Sequence, residues 1–269
     1  IMDAIGFHSP EGTLLNAVGS AATGVRHATT SRVNDVVSGA LIQAAPDILP
    51  AASSGLVVPV VFAAVDGSRI DVVEPMVGGT GGRNGSDGAD GRDSGISNLS
   101  NNSVEVVEAD VAVRVLRYAS RPDSGGRGRW RGGAGLELEF EALTDGSRLA
   151  RGRERLRLRP WGFAGGHPGA ATELIVNEGT AREERLSIVD VHPLSAGDRV
   201  VLRTAGAGGY GDPLLRDPRA VLDDVEAGFV SESQAREAYG VAIVDGEVDA
   251  EATAALRAAD VASDDIRPE

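Results

Sequence analysis

The chain has 269 residues, 42% of them hydrophobic, which is enough for one sizeable core or two small ones. It contains neither cysteine nor lysine, which excludes thiolate chemistry, disulfides, Schiff bases and the lysine-containing phosphate loop of many nucleotide-binding proteins. A net charge of -14 makes binding to nucleic acids unfavourable. The acidic, lysine-free composition fits both adaptation to high salt and a GC-rich genome that encodes arginine instead of lysine.

The sequence shows no signal for membrane insertion or secretion. Its apolar runs stay below the roughly 18 residues of a membrane span. The start, IMDAIGFHSPEG, lacks the basic and apolar regions of a signal peptide. We therefore expect a cytoplasmic protein that does not bind membranes.

One amphipathic helix is predicted near the amino terminus, at Thr29–Ala45, with a cap at Thr30 or Ser31 and a stop at Pro46. Its apolar residues recur at helical spacing: Val33, Val36, Val37, Ala40, Leu41 and Ala44. This pattern predicts a helix whose apolar face packs into the core.

The middle of the chain is rich in strand signals. Runs of branched apolar residues, several alternating with charged residues, predict strands. They are Val57–Val65, Ile70–Val73, Val104–Val107, Val111–Tyr118, Leu136–Leu143, Arg153–Arg159, Glu173–Val176, Arg185–Val189 and Arg199–Thr204. We expect turns at Asp66–Gly67 and Leu194–Asp198, and arginines on the open face of Arg153–Arg159.

The carboxyl-terminal part has helical signals. Helices are predicted at Pro218–Ala227, Glu232–Tyr239 and Ala250–Ala259, capped by Asp217, Ser231 and Asp249. The fold class is therefore α+β: a β-rich core with long glycine-rich loops, one amphipathic helix near the amino terminus and a helical tail. We expect a β-rich domain over residues 1–213 and a helical extension over 214–269.

The longest segment without periodicity is Gly78–Asn102, which is rich in glycine, serine and aspartate. Long loops of this kind are either functional or flexible linkers, and predicted strands on both sides favour a shaped binding loop. Asp87, Asp90 and Asp93 recur every three residues; they could bind Ca²⁺, but the EF-hand pattern is absent, so solvated turn residues are the default interpretation.

Other motifs give weaker indications. Gly206, Gly208 and Gly211 match GxGxxG, but Pro213 and the delayed start of the next predicted helix at Pro218 do not give the helix that must begin on the glycines, so dinucleotide binding is not supported. The four histidines lack metal-ligand spacing. An arginine cluster surrounds Trp130 and could bind phosphate or carboxylate, or meet an acidic partner protein. Its members are Arg121, Arg127, Arg129 and Arg131.

Several motifs in order give a specific resemblance. They are PEGTLLN, ATTSRVNDVVSGALIQAAPDILPAASSG, GGTGGRNGSDGADG, RPDSGGRGRWRGGAG, PWGFAGGHPGA, LSAGDRVVLRT and GAGGYGDPLLRDPRAVLDDVEAGFVS. Together, up to about Val241, they resemble the carboxyl-terminal half of the B-type subunit of the hydantoinase B/oxoprolinase family, as in N-methylhydantoinase B.

The resemblance implies an ATP-dependent cyclic-amide hydrolase that opens a lactam, such as the 5-oxoproline of glutathione metabolism, or a hydantoin. It implies an A-type partner subunit that binds ATP, and family members about twice as long. The partners would therefore include the missing amino-terminal half, with the ligands of any divalent metal outside this chain. Alternatives are a subunit of an acetone/acetophenone-type carboxylase and a non-catalytic structural subunit.

We expect the Gly78–Asn102 loop to form one wall of the substrate site, with backbone N–H groups offered to a carbonyl or carboxylate. The candidate substrate-binding residues are Gly79, Arg83, Asp87, Asp90 and Asn98. The resemblance supplies no residue-level support for them. No catalytic residue and no metal ligand is assigned in this chain.

Overall fold

A computed structural model describes residues 6, 8–21, 26–55, 58–63, 70–92, 100–151, 155–186 and 191–264. The helices are α1 (Arg26–Leu41), α2 (Val104–Asp110), α3 (Pro218–Glu226), α4 (Glu232–Tyr239) and α5 (Ala250–Asp264), with a short 3-10 helix at Pro213–Leu215. The strands are β1 (Val58–Ala63), β2 (Ile70–Met76), β3 (Val113–Ser120), β4 (Leu136–Ala142), β5 (Ser147–Arg151), β6 (Glu173–Val176), β7 (Glu184–Arg185), β8 (His192–Leu194), β9 (Arg199–Arg203), β10 (Ala242–Val244) and β11 (Glu247–Asp249). The predicted α+β class is confirmed.

Two antiparallel sheets share one apolar core. The five-stranded sheet has the order β3-β4-β9-β6-β7, and the four-stranded sheet has the order β2-β1-β5-β8. Strand β4 alternates as predicted: Leu138 and Phe140 are buried opposite Leu202 and Val200 of β9. Leu149 of the four-stranded sheet lies in the same apolar cluster, so the two sheets meet across it.

The carboxyl-terminal helices form a second apolar cluster, made of Val221, Val230, Ala235, Ala238, Tyr239 and Val241. All three predicted caps are present. Asp217, Ser231 and Asp249 accept hydrogen bonds from backbone N–H groups two or three residues ahead, at 2.8, 3.2 and 3.0 Å. None of the helices in the described ranges is long and apolar enough to cross a membrane. The domain boundary at residue 213 stays a prediction.

Two strand predictions are wrong. Val104–Val107 begins helix α2, because Val104, Val107 and Val111 also fit a helical period, and burial of Val107 and Val111 favours the helix. Strand β5 ends at Arg151, and residues 155–158 bend instead of continuing Arg153–Arg159 as a strand.

Other strand predictions fall partly outside the described residues. The Asp66–Gly67 turn lies outside them, as do residues 57, 64 and 65 of Val57–Val65 and residues 187–189 of Arg185–Val189. Strands β5 and β8 and the β10–β11 hairpin were not predicted; each has only three to five residues.

Helix α1 is present but turned the opposite way from the prediction. The expected core residues Val36, Val37 and Leu41 are 71%, 50% and 53% exposed. Ser31 and Asp35 are buried instead. The prediction that the apolar face packs into the core is therefore wrong for the described part of the chain.

Candidate functional site

Four glycine-rich segments, 78–91, 124–135, 161–169 and 204–211, pack against one another through their backbones. Gly133 N–H donates to the Thr80 carbonyl at 2.9 Å, and Ala207 N–H donates to the Gly133 carbonyl at 2.9 Å. Phe163 N–H donates to the Gly209 carbonyl at 3.0 Å. We call these four interlocked segments the glycine layer. Over residues 78–91, the predicted binding loop is therefore part of this layer and is not a free linker.

Glycine is required where these segments cross. A Cβ added to Gly79 would overlap the carbonyl of Gly133, and one added to Gly208 would overlap the carbonyl of Trp161. Both neighbours are backbone atoms, which cannot move aside like a flexible side chain. The absence of side chains lets the loops approach closely enough to exchange backbone hydrogen bonds.

A group of charges around two buried arginines, the Asp–Arg cluster, ties this layer to the carboxyl-terminal helices. It consists of Asp87, Asp90, Arg131, Arg216 and Asp224. Asp224 of α3 accepts from Arg131 Nε at 3.1 Å and from Arg216 Nη2 at 2.7 Å. The side chains of Arg131 and Arg216 are only 5% and 3% exposed. Charges buried this deeply need such pairing, because they have lost their contact with water.

The two aspartates of the predicted binding loop belong to this cluster. Asp87 accepts from both terminal nitrogens of Arg216, at 2.7 and 2.8 Å. Asp90 accepts from Arg131 Nη1 at 2.7 Å and from Ala134 N–H at 2.6 Å. Burial alone would lower the pKa of Arg131, but the hydrogen bond to Asp90 and the neighbouring carboxylates raise it above its ordinary value. Arg131 is therefore a permanent cation.

A cleft of about 490 Å³ opens beside the cluster. Its polar and aromatic lining comprises Asp87, Arg129, Trp130, Arg216, Asp217 and Arg257. The Arg129 guanidinium lies 5.8 Å from the ring centre of Trp130. Guanidinium groups beside an aromatic ring can bind a carboxylate or phosphate.

The four arginines predicted as one cluster have different surroundings. Arg121 donates to the carbonyls of Ala171 and Thr204 at 2.7 and 3.1 Å, and Arg131 is buried in the Asp–Arg cluster. Arg129 is exposed at the cleft. Only part of the predicted arginine surface is therefore available to a ligand.

The candidate substrate-binding residues are placed as follows. Gly79 is buried in the glycine layer, whereas Arg83 is exposed at a tight turn in which its N–H donates to Ser86 at 3.0 Å. Asp87 and Asp90 come together around Arg131, and Asp87 also lines the cleft. Asn98 lies outside the described residues. Substrate binding by these residues stays a prediction.

Sequence reasoning missed Arg216 and Asp224. Arg216 precedes a helix cap and Asp224 follows another aspartate, patterns that are typical of solvent-exposed positions. Arg216 contacts Asp87 from 129 residues away, and Asp224 contacts Arg131 from 93 residues away. Nothing in the local sequence indicates those contacts.

The described residues do not fit a divalent metal ion by themselves. Within the described ranges, no three histidine, aspartate or glutamate side chains are grouped so that they could hold one.

Comparison with known proteins identifies the family. The sequence model of Hydantoinase B/oxoprolinase matches residues 1–213. The chain is 40% identical over 255 residues to an uncharacterized protein of Methanocaldococcus jannaschii, covering 93% of this chain and 44% of that protein. It is 34% identical over 256 residues to the putative B component of a D-/L-hydantoinase from a Pseudomonas species, covering 93% and 42%.

A solved structure has the same fold. The ATP-dependent caprolactamase of Pseudomonas jessenii superposes with a TM-score of 0.80 at 29% identity, over 94% of this chain and 46% of that one. The chain thus spans less than half the length of these relatives. The family match, covering most of the sequence, confirms the predicted resemblance: the chain belongs to the hydantoinase B/oxoprolinase family.

Proposed function

We propose that the chain is the carboxyl-terminal part of the B-type component of an ATP-dependent cyclic-amide hydrolase. It would open a lactam or hydantoin ring together with an A-type component that binds ATP. The observation that carries this proposal is the similarity to the ATP-dependent caprolactamase across 94% of the chain. The similarity to the putative B component of a hydantoinase supports the same class of substrate. ATP is assigned to the partner because this chain has no lysine for a P-loop.

The need for ATP follows from the chemistry of the substrate. The carbonyl carbon of a cyclic amide is a poor electrophile, because the ring nitrogen donates electrons to it. Transfer of a phosphoryl group from ATP to the amide oxygen activates that carbon; water adds to it, the C–N bond breaks, the nitrogen takes a proton and an acyl phosphate is left. A second water cleaves the acyl phosphate and releases inorganic phosphate. The products are the ring-opened acid or amide, ADP and phosphate.

This chain would contribute the shape of the substrate site. The exposed Arg83 can bind a carbonyl or carboxylate oxygen, and Asp87 at the cleft can accept a hydrogen bond from a ring N–H. Gly79 and Asp90 would hold the loop in place through the glycine layer and Arg131. We retain Asn98 as a candidate on the same loop.

Reconstitution tests the proposal. The chain is purified alone and with the polypeptides of the same organism that carry the A-type component and the rest of the B-type length. Caprolactam, 5-oxoproline and hydantoin are each supplied with ATP, and ADP and ring-opened product are measured. We expect one ADP per ring opened in the complete mixture and no turnover by the chain alone.

Three outcomes would contradict the proposal. Ring opening by the isolated chain would place the reactive groups within it. ATP turnover that depends on bicarbonate and a ketone would support the carboxylase alternative. Full activity without this chain would support a dispensable structural role.

The loop is tested in the same mixture. Arg83→Ala should lower kcat/KM about tenfold or more, because a charged hydrogen bond to the substrate is lost. Arg219→Ala, which removes a 67% exposed arginine from α3, is the matched control and should leave kcat/KM unchanged. Equal kinetics for the two variants would remove Arg83 from the site.

A further inference from the structure

Helix α1 turns polar residues inward and most of its apolar residues outward, although Ile42, directly after the helix, is buried. Ser31 and Asp35, one helical turn apart, are 2% and 7% exposed. Val36, Val37 and Leu41, at the spacing of a single face, are 71%, 50% and 53% exposed. We call the exposed apolar residues of this helix and the following turn the α1 outer face: Val36, Val37, Ala40, Leu41, Ala44 and Ile48.

Buried contacts fix this orientation. Asp35 is paired with Arg155, whose side chain is 7% exposed and also donates to the Ser53 carbonyl at 2.9 Å. On the same side, Gly39 lies against the ring of Trp161, where an added Cβ would sit 3.2 Å from Cζ2. Turning the apolar residues inward would break the ion pair and leave Arg155 buried without its carboxylate, which is costly. The outer face is therefore held in its exposed orientation.

The apolar exposure is concentrated in one part of the chain. Half of the large hydrophobic residues exposed in the described ranges lie within residues 14–48: Leu14, Leu15, Val18, Val36, Val37, Leu41 and Ile48. An apolar face at helical spacing is the form in which a helix binds a groove of another polypeptide.

The relatives show how much polypeptide is available to cover this face. The chain spans 44% and 42% of the two curated relatives, so more than half of each relative lies outside the matched region. A second copy of this chain is a poorer candidate, because two molecules of net charge -14 repel each other.

We propose that the α1 outer face is the docking surface for the remaining half of the B-type polypeptide. This inference rests on the B-type assembly proposed above, but not on the reaction. The buried Asp35–Arg155 pair orients the helix, and the apolar face supplies the contact.

The test measures binding, independently of activity. The chain is titrated with the polypeptide of the same organism that carries the rest of the B-type length, and the Kd is determined by calorimetry. Val36→Glu and Leu41→Glu should each weaken binding about 30-fold or more, since each would place a carboxylate in an apolar contact. Leu158→Glu is the matched control: Leu158 is 80% exposed and lies outside the helix, so its replacement should leave the Kd unchanged.

The melting temperature of each isolated variant should equal that of the unmodified chain, because all three positions are exposed. Unchanged binding by folded Val36→Glu and Leu41→Glu would overturn the inference. So would a dimer of the isolated chain that Val36→Glu abolishes, since a second copy would then occupy the face.

The binding and activity assays separate the two proposals. If the variants weaken assembly but the assembled complex opens no cyclic amide, the proposed function fails and the docking surface stands. If the complex is active and the variants assemble normally, the docking surface fails and the function stands.

Discussion

Helices α1 and α3 place their apolar residues on opposite sides relative to a buried ion pair. Each has a buried aspartate paired with a buried arginine from a distant segment: Asp35 with Arg155, and Asp224 with Arg131. In α3 the apolar residues face the same way as the aspartate, and Val221 is fully buried. In α1 they face the other way. The comparison teaches that a buried ion pair can orient a helix against its apolar pattern and leave the apolar face exposed.

The largest expected effect tests the ion pair of α3. Asp224→Ala should lower the free energy of unfolding by about 4 kcal/mol, because it removes a partner from two buried arginines. Urea denaturation of the isolated chain measures the change. The neighbouring Asp223 is 59% exposed and pairs only at the surface with Arg219, so Asp223→Ala should cost less than about 0.5 kcal/mol. Equal losses would show that the Asp–Arg cluster does not stabilise the fold.

The next prediction concerns the glycine layer, and its expected effect is slightly smaller. Asp87 and Asp90 of this layer are connected to α3 through the Asp–Arg cluster. Gly79→Ala should lower the free energy of unfolding by about 3 kcal/mol, since the new Cβ would overlap the backbone of Gly133. The control is Gly6→Ala, where an added Cβ has no atom within 4 Å. Thermal unfolding measures the stability of both variants. A Gly79→Ala variant as stable as the unmodified chain would mean that the segments of the layer are less tightly packed than their backbone contacts indicate.

Matched valines compare the two helices directly. Val221→Ala on α3 should cost about 2 kcal/mol through the loss of buried methyl groups, whereas Val36→Ala on α1 should cost less than about 0.5 kcal/mol in the isolated chain. Chemical denaturation gives both values. A similar loss for Val36→Ala would show that α1 packs its apolar face inward and would remove the contrast.

Local patterns predicted the elements whose stability is local. The caps Asp217 and Ser231 and the alternation of Leu138 and Phe140 each depend on residues a few positions apart. The orientation of α1 could not be predicted in this way, because Asp35 meets Arg155 from 120 residues away. Helical spacing locates an apolar face but does not say what covers it.

Prediction of the candidate site from the local sequence has the same limit. The glycine-rich composition of 78–91 indicated a shaped loop, and the loop is held in place as such a proposal requires. The spacing of Asp87 and Asp90 could not reveal that Arg216 and Arg131 would bind both of them. Charged residues in a glycine-rich tract are equally suited to a ligand and to a distant arginine, so the sequence alone does not decide between binding and anchoring.

The prediction with the smallest expected effect concerns a third buried aspartate, whose charged partner is exposed. Asp198, in the predicted Leu194–Asp198 turn, accepts from Ser195 N–H at 2.8 Å and from Arg182 at 2.9 Å, but the Arg182 side chain is 68% exposed. Burial alone would raise the pKa of Asp198, but these bonds and the Asn177 amide lower it below its ordinary value of 3.8. Its stabilising contribution is therefore present above about pH 4 and is lost as the pH falls through the lower, folded-state pKa.

Asp198→Asn should thus cost about 1 kcal/mol at neutral pH, and this difference from the unmodified chain should shrink at lower pH. Urea denaturation at a series of pH values measures it, with Asp223→Asn as the exposed control. If the difference in unfolding free energy stayed constant down to the lowest pH measured, the carboxylate charge of Asp198 would not stabilise the turn. A loss as large as that of Asp224→Ala would show that an exposed arginine supports a buried carboxylate as well as two buried arginines do, and burial of the arginine would then not determine the strength of these pairs.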